Sequence, residues 1–304
     1  MKIAKFRPVL NFRFFALVIG LTQFLGSAVV NADLNLPAGT WSYQQRGELL
    51  DTESFGGAIN PAQFVSYSED KTITYPPFQF YTGGYIQTLT HTIFAGGKYP
   101  TIDSQLETHW DNVPFIPGRD ASVSASMKYN FQAWKKYSWS PDWDVPVTAL
   151  MSVDVSVYGP HGFFQPEPCS AYASAGISYH SSSGTFMEEL TINTVLDGDG
   201  SKQMLKRFAI GLDMINEASL YTSIVASSGG NELSGTWGGQ AWADPAIQID
   251  PDAYIDVNGV SYKASDLYGL SFSPGFEAVP EPSVGLAVSF LLLASVTRGR
   301  LRRN

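Results

Sequence analysis

Disulfide chemistry is nearly absent from this chain: among 304 residues there is one cysteine, Cys169. No internal disulfide can form, so a body of this length must draw its stability from an ordinary apolar core. A lone thiol reads as a buried or incidental residue, because a nucleophile needs an activating neighbourhood. Histidine is also scarce. The four histidines, His91, His109, His161 and His180, are scattered, without the H-x-H, H-E-x-x-H or C-x-x-C spacing that zinc sites use. The chain has no G-x-S-x-G for a serine hydrolase, no G-x-x-x-x-G-K-[ST] and no G-x-G-x-x-G, so hydrolase and nucleotide-binding signatures are both missing. No segment sustains an apolar period of 3.6, which argues against a helical architecture.

What is present begins at the two ends. Lys2, Lys5, Arg7 and Arg13 lead into an apolar block over 14–25, followed by small residues ending in Val30-Asn31-Ala32. This is the layout of a secretory signal peptide over 1–32, cut by signal peptidase between Ala32 and Asp33. The block falls short of the ~20 apolar residues that a spanning helix needs. At the other end, an apolar run at 284–297 is again short for a span, and Arg298, Arg300, Arg302 and Arg303 cluster around and after its end. A chain exported N-terminus first would stall there, its arginines held on the cytoplasmic side. Val279-Pro280-Glu281-Pro282-Ser283 just ahead is a stiff, extended strip.

Pro280-Glu281-Pro282, a short apolar helix and a terminal arginine cluster, in that order over residues 279–304, resemble the PEP-CTERM sorting signal of Gram-negative bacteria. The resemblance implies recognition by an exosortase, a membrane cysteine protease. It also implies a surface or matrix protein connected with exopolysaccharide. Pro166-Glu167-Pro168 repeats the tripeptide in the interior with no apolar run behind it, and is expected to be inert. The stretch from Trp242 to Gly275 is similar to the closing strands of secreted PEP-CTERM proteins, through Asp244-Pro245, Leu270 and Ser273-Pro274-Gly275.

Residues 33–278 carry 11 basic and 27 acidic side chains, a net charge of −16. Such a surface repels phosphate backbones, so no nucleic-acid partner is expected. Strand patterning dominates the interior. Ala121, Val123, Ala125, Met127, Tyr129, Phe131 and Ala133 alternate with polar residues, and Val147, Ala149, Met151, Val153, Val155 and Val157 do the same. Further strands are expected at 64–67, 85–94, 171–179, 189–196, 207–214, 220–226, 246–250 and 267–272. Residues 203–207 offer the beginning of a helical turn. Asp197-Gly198-Asp199-Gly200, Ser228-Gly229-Gly230-Asn231 and Asn258-Gly259 supply reversals. The expected fold is all-β, an antiparallel β-sandwich of jelly-roll-like type over 33–278. The stretch 114–118 (PFIPG) is the best internal boundary, with one elaborated sandwich favoured over two domains.

Candidate chemistry is sparse. Glu188 and Glu189 are adjacent and would face opposite sides of a strand. Asp142 and Asp144 flank Trp143 in an expected loop, so no glycosidase pair stands out and the chain reads as non-enzymatic. An EF-type loop on Asp197 and Asp199 fails at Val195 and Lys206, so a hairpin turn is the better reading there, and no cofactor is expected. Asp250, Asp252 and Asp256 form a second acidic loop, a weak calcium candidate. The most suggestive stretch is Tyr137-Ser138-Trp139-Ser140-Pro141-Asp142-Trp143-Asp144. Trp139 and Trp143 either stack on sugar rings at the sandwich edge or plug the end of the core, and plugging is the expectation because large aromatics are mostly buried.

Overall fold

A computed structural model describes residues 36–47, 50–58, 65–76, 84–96, 100–111, 119–159, 169–228 and 235–276. The signal peptide, the sorting tail with its span, the Pro166-Glu167-Pro168 repeat, His161, the 114–118 boundary and the 229–231 part of the second reversal lie outside them. Among the described residues no helix is long and apolar enough to cross a membrane.

The elements are β1 (Thr40–Gly47), β2 (Glu53–Ala58), β3 (Val65–Tyr75), β4 (Gly84–Ala95), β5 (Thr101–Asp111), β6 (Arg119–Lys135), β7 (Val145–Tyr158), β8 (Cys169–Ser181) and β9 (Gly184–Asn193). A single helical turn, α1 (Thr194–Asp197), leads to β10 (Gly200–Ile210), β11 (Asn216–Ser228) and β12 (Gly235–Ile249). The short β13 (Tyr254–Val257), β14 (Val260–Lys263), α2 (Ala264–Leu267) and β15 (Tyr268–Phe272) close the chain. The fold is all-β and every strand pair is antiparallel.

Two sheets face each other. One runs β2-β1-β6-β11-β8-β9, with β15 continuing the edge of β6 beyond β1; the other runs β10-β7-β12-β5-β4-β3. The pairing is nested: β5 with β12, β6 with β11, β7 with β10 and β8 with β9. Strands β5 to β8 are thus one arm of a long folded-back hairpin, β9 to β12 the other, and the whole is rolled into two layers. The strands on both sides of 114–118 contribute to one core cluster.

Alternation creates the core. The seven apolar positions of β6 from Ala121 to Ala133 are at most 1 % exposed, as are Val145 to Val155 at the odd positions of β7. Opposite them lie Ile102, Leu106, Ile177, Leu220 and Ile224. Each of these larger aliphatic or aromatic side chains contributes roughly 1.5–3 kcal/mol by leaving water. Alanines at 171, 173, 175, 218, 241 and 243 let the two sheets approach closely where larger side chains interdigitate.

Four expectations are corrected. Residues 203–207 are not a helical turn but the middle of β10, which pairs with β7 along its whole length. Period-two exposure there (Gln203, Leu205 and Arg207 out, Met204 and Lys206 half-buried) shows that strand packing overrides the local helix-forming composition. The strand expected over 207–214 stops at Ile210, because Asp213 turns the chain with φ 57°. The strand expected over 189–196 stops at Asn193, whose side chain accepts from Val195 N and caps α1. Consequently Asp197 to Gly200 is not a hairpin tip within one sheet. It carries the chain from β9 in one sheet to β10 in the other, with Gly198 and Gly200 at φ 75° and 151°. Asn258 and Gly259 do form the expected reversal, at φ 55° and 81°, between β13 and β14.

Candidate binding rim

Residues 136–144 cross from β6 to β7, and so from one sheet to the other over one end of the sandwich. The loop is pinned along its length. Lys136 N donates to Leu267 O (2.9 Å) and Lys136 Nζ to Ser265 O (2.6 Å). Ser140 turns inward, its Oγ donating to Leu267 O at 3.1 Å, and Tyr268 Oη donates to Pro141 O at 2.9 Å. At the far side Asp144 takes hydrogen bonds from Ser182 N (3.0 Å to Oδ2) and Ser182 Oγ (2.6 Å), tying the loop to the tip of the β8–β9 hairpin.

This pinning leaves the aromatics outside. Trp139 is 51 % and Trp143 55 % exposed, so neither plugs the core. The end is closed instead by Tyr268, Leu267 and Ala264, all fully buried, which α2 and the start of β15 deliver. With that volume filled by later elements, the tryptophans are left on the water side. Tyr137 stacks on Trp139 (ring centroids 5.2 Å apart, planes at 11°), and Tyr262 of β14 meets the same indole at 5.5 Å and 55°. Tyr137, Trp139 and Tyr262 form one ledge, and Trp143 stands on the same loop. Pre-set rings lose little conformational freedom when a flat ligand stacks on them.

The carboxylates around this rim are committed elsewhere. Asp142 pairs with Lys135 Nζ at 2.6 Å and Asp144 holds Ser182, so they do not converge on a common point as acid and base. Glu188 pairs with Lys206 (2.6 Å) while Glu189 is exposed on the opposite side of β9. The acidic loop is also engaged: Arg207 reaches Asp252 at 2.6 Å and Asp250 at 3.6 Å, filling with a guanidinium the place offered to calcium. Asp256 instead accepts from Gly259 N inside the β13–β14 turn. Among the described residues no cluster of three or more His, Cys, Asp or Glu is arranged to hold a metal. His109 and His180 face Thr236 and Thr185, each at 2.8 Å. Cys169 is buried, and burial pushes its thiol up to about 12, far from a reactive thiolate. Asp244 on β12 is likewise pushed up, to about 6, by burial alone.

Sequence patterning located Tyr137, Trp139 and Trp143 on this loop but not Tyr262. Its pairing with Trp139 depends on where the β13–β14 hairpin folds back, and nothing near Trp139 in the sequence signals that.

No family model and no curated protein matches the chain. Among solved structures it is similar to a carbohydrate-binding module of the β-sandwich superfamily, at 10 % identity over 71 % of this chain and 86 % of that one, with a TM-score of 0.21. It is also similar to a structure of infectious bursal disease virus (Gx strain), at 11 % identity over 90 % and 75 % of the two chains, with a TM-score of 0.19. Likenesses at this level carry no inference about what this chain binds.

Proposed function

We propose that this chain is an exported, non-enzymatic protein of the bacterial surface or extracellular matrix, built on a jelly-roll sandwich, that holds polysaccharide on its β6–β7 rim. The observation that carries the binding reading is the ledge made by exposed Tyr137 and Trp139, on a loop tied down at both flanks, with half-buried Tyr262 of β14 beside them. Large rings left in water on a rigid support are a stacking platform for sugar rings, at low entropic cost. The nested strand pairing supports the jelly-roll description. Export and surface sorting rest on the sequence signals, with signal peptidase acting at Ala32-Asp33 and an exosortase acting near Pro280-Glu281-Pro282.

The test is co-sedimentation of the full-length chain, in non-ionic detergent, with the producer's extracellular polysaccharide. Saturable retention that falls at least about tenfold in Trp139→Ala/Trp143→Ala is the expected result. Adding calcium should leave it unchanged, because Arg207 occupies the acidic loop. No retention of the unaltered chain would overturn the glycan reading and leave a structural coat protein. Mass spectrometry of the mature protein tests the processing, since cleavage at both signals leaves neither residues 1–32 nor the arginine tail.

A further inference from the structure

The outer face of the second sheet has a charge pattern that folding does not require. Its water-facing positions follow from the register. Trp242, on β12, stands directly between Asp154 on β7 and Asp103 on β5, with Gln240 and Asp244 two residues to either side on its own strand. Farther across lie Glu107 on β5 and Asp70 on β3. None of these carboxylates has a cationic partner among the described residues. Asp103 receives the Gln240 amide at 3.3 Å, Glu107 the Tyr158 hydroxyl at 2.8 Å and Asp70 the Gln87 amide at 3.0 Å. Asp154 receives nothing from the described residues, and one oxygen of Asp244 is buried without a hydrogen bond from them. The one guanidinium on this face among the described residues, Arg207, sits at its corner and is already bound by Asp250 and Asp252. Like charges gathered on one sheet face repel and cost stability. The face gives up that energy with no cation among the described residues to offset it.

We infer that this face, centred on Trp242 and flanked by Asp103 and Asp154, is a docking surface for a cationic, amino-sugar-containing polysaccharide. The inference deepens the glycan reading above, on a second surface. Charge complementarity selects the occupant: unpaired carboxylates would bind protonated sugar amines by charge-assisted hydrogen bonds, and an ammonium over the indole adds a cation–π contact. Extent selects a polymer over a small cation. Six strands at about 4.8 Å spacing give a face about 24 Å wide, and the carboxylates are spread along it from β7 to β3. Composition selects a sugar over a basic protein, because protein interfaces are depleted of charge at their centre and this face carries its charges there.

The experiment uses the full-length chain at about pH 6, where ordinary carboxylates are ionised, and three insoluble probes. These are a partly de-N-acetylated hexosamine polymer, the same polymer fully re-N-acetylated, and polylysine beads. Retention on the first, weaker by about tenfold or more on the second, is expected. Asp103→Asn/Asp154→Asn and, separately, Trp242→Ala should each lose about tenfold on the first probe, with thermal unfolding showing both variants folded. Trp139→Ala/Trp143→Ala should retain it unchanged. Equal retention on both sugar polymers, or unaltered retention by Asp103→Asn/Asp154→Asn, would overturn the inference. So would capture by polylysine without capture by the amino-sugar polymer. If the inference fails while Trp139-dependent retention on the producer's polysaccharide persists, the rim reading survives alone.

Discussion

The two sheets are built alike on the inside and differently on the outside. In each, an aromatic residue on a central strand stands between two directly opposed neighbours on the water side. In the first sheet Tyr221 lies between Ser126 and Ser174, and in the second Trp242 lies between Asp154 and Asp103. Around Tyr221 the face is neutral and rich in hydroxyls: Ser42 meets Ser126 at 2.8 Å, and Tyr172 packs against Tyr221 at 5.8 Å. The described cations on this face are Lys128, paired with Glu217 at 3.0 Å, and Arg46, farther out on β1. Around Trp242 the charges are carboxylates that have no cationic partner among the described residues. Both faces satisfy the alternation that the sandwich needs, so folding cannot account for the difference between serine and aspartate. It lies at positions that the core leaves free, where binding properties can be set.

The shared interior should be the most sensitive part of either sheet. Phe131→Ala removes a fully buried ring and is expected to cost about 3–5 kcal/mol, read as a lower denaturant midpoint with unchanged slope. Next in size come two glycines on opposite outer faces. A Cβ on Gly238 would lie 2.5 Å from both the Leu106 carbonyl oxygen and the Tyr158 hydroxyl, where backbone cannot yield, so Gly238→Ala should cost about 2–3 kcal/mol. On Gly176 the nearest atom is the Ser219 hydroxyl at 3.0 Å, which can rotate away. Gly176→Ala should stay below about 1 kcal/mol. Equal losses would show that the two faces are equally tight at these positions, against the difference between a fixed carbonyl and a rotatable hydroxyl.

How much of this was legible follows the same division. Strands whose inward positions are apolar, such as β6 and β7, stand out by alternation alone. β5 does not, because its inward set includes Ser104 and Thr108. Ser104 faces into a buried hydroxyl seam, meeting Thr92 at 3.3 Å and Thr222 at 2.8 Å. Buried polar residues such as Ser104 and Thr108 look like surface to a pattern reading. β1 and β2 carry too few apolar residues for the pattern to register. The rim loop was legible because Pro141 and its aromatics are contiguous. The Asp154–Trp242–Asp103 row was not, because its members are brought together only by the register of three strands distant in sequence.

Asp244 sharpens the contrast through pH. Its folded-state pKa is raised from 3.8 to about 6 by burial, so the folded state holds this proton more tightly than the unfolded state does. A raised carboxyl favours the fold when protonated: its contribution is greatest below about pH 4, declines as pH rises through the window up to about 6, and is unfavourable above it. Asp244→Asn should therefore raise stability at pH 8 by about 1 kcal/mol, discounted for the part of the group that water still screens, and the gain should vanish near pH 4. Melting curves at the two pH values check this. A gain that is the same at both would mean that the benefit comes from packing rather than from removing the charge.

The smallest effect expected is on the neutral face. Tyr221 is exposed, and its recorded ring contact is with Tyr172, at a 57° tilt. A partly wetted aromatic pair of this kind is worth about 0.5 kcal/mol, and the lower strand propensity of serine brings the expected loss to about 1 kcal/mol. Tyr221→Ser should then lower stability by no more than that and leave retention on the amino-sugar polymer untouched. Trp242→Ala, at the matching place on the other sheet, should abolish most of that retention. The paired variants hold strand position comparable, Tyr221 being exposed and Trp242 half-buried, and differ in the charge that surrounds the ring. If both reduce retention equally, the ring rather than the carboxylates governs binding, and the two faces are equivalent after all. If only the Trp242 variant does so, the unpaired aspartates are what distinguish the second sheet.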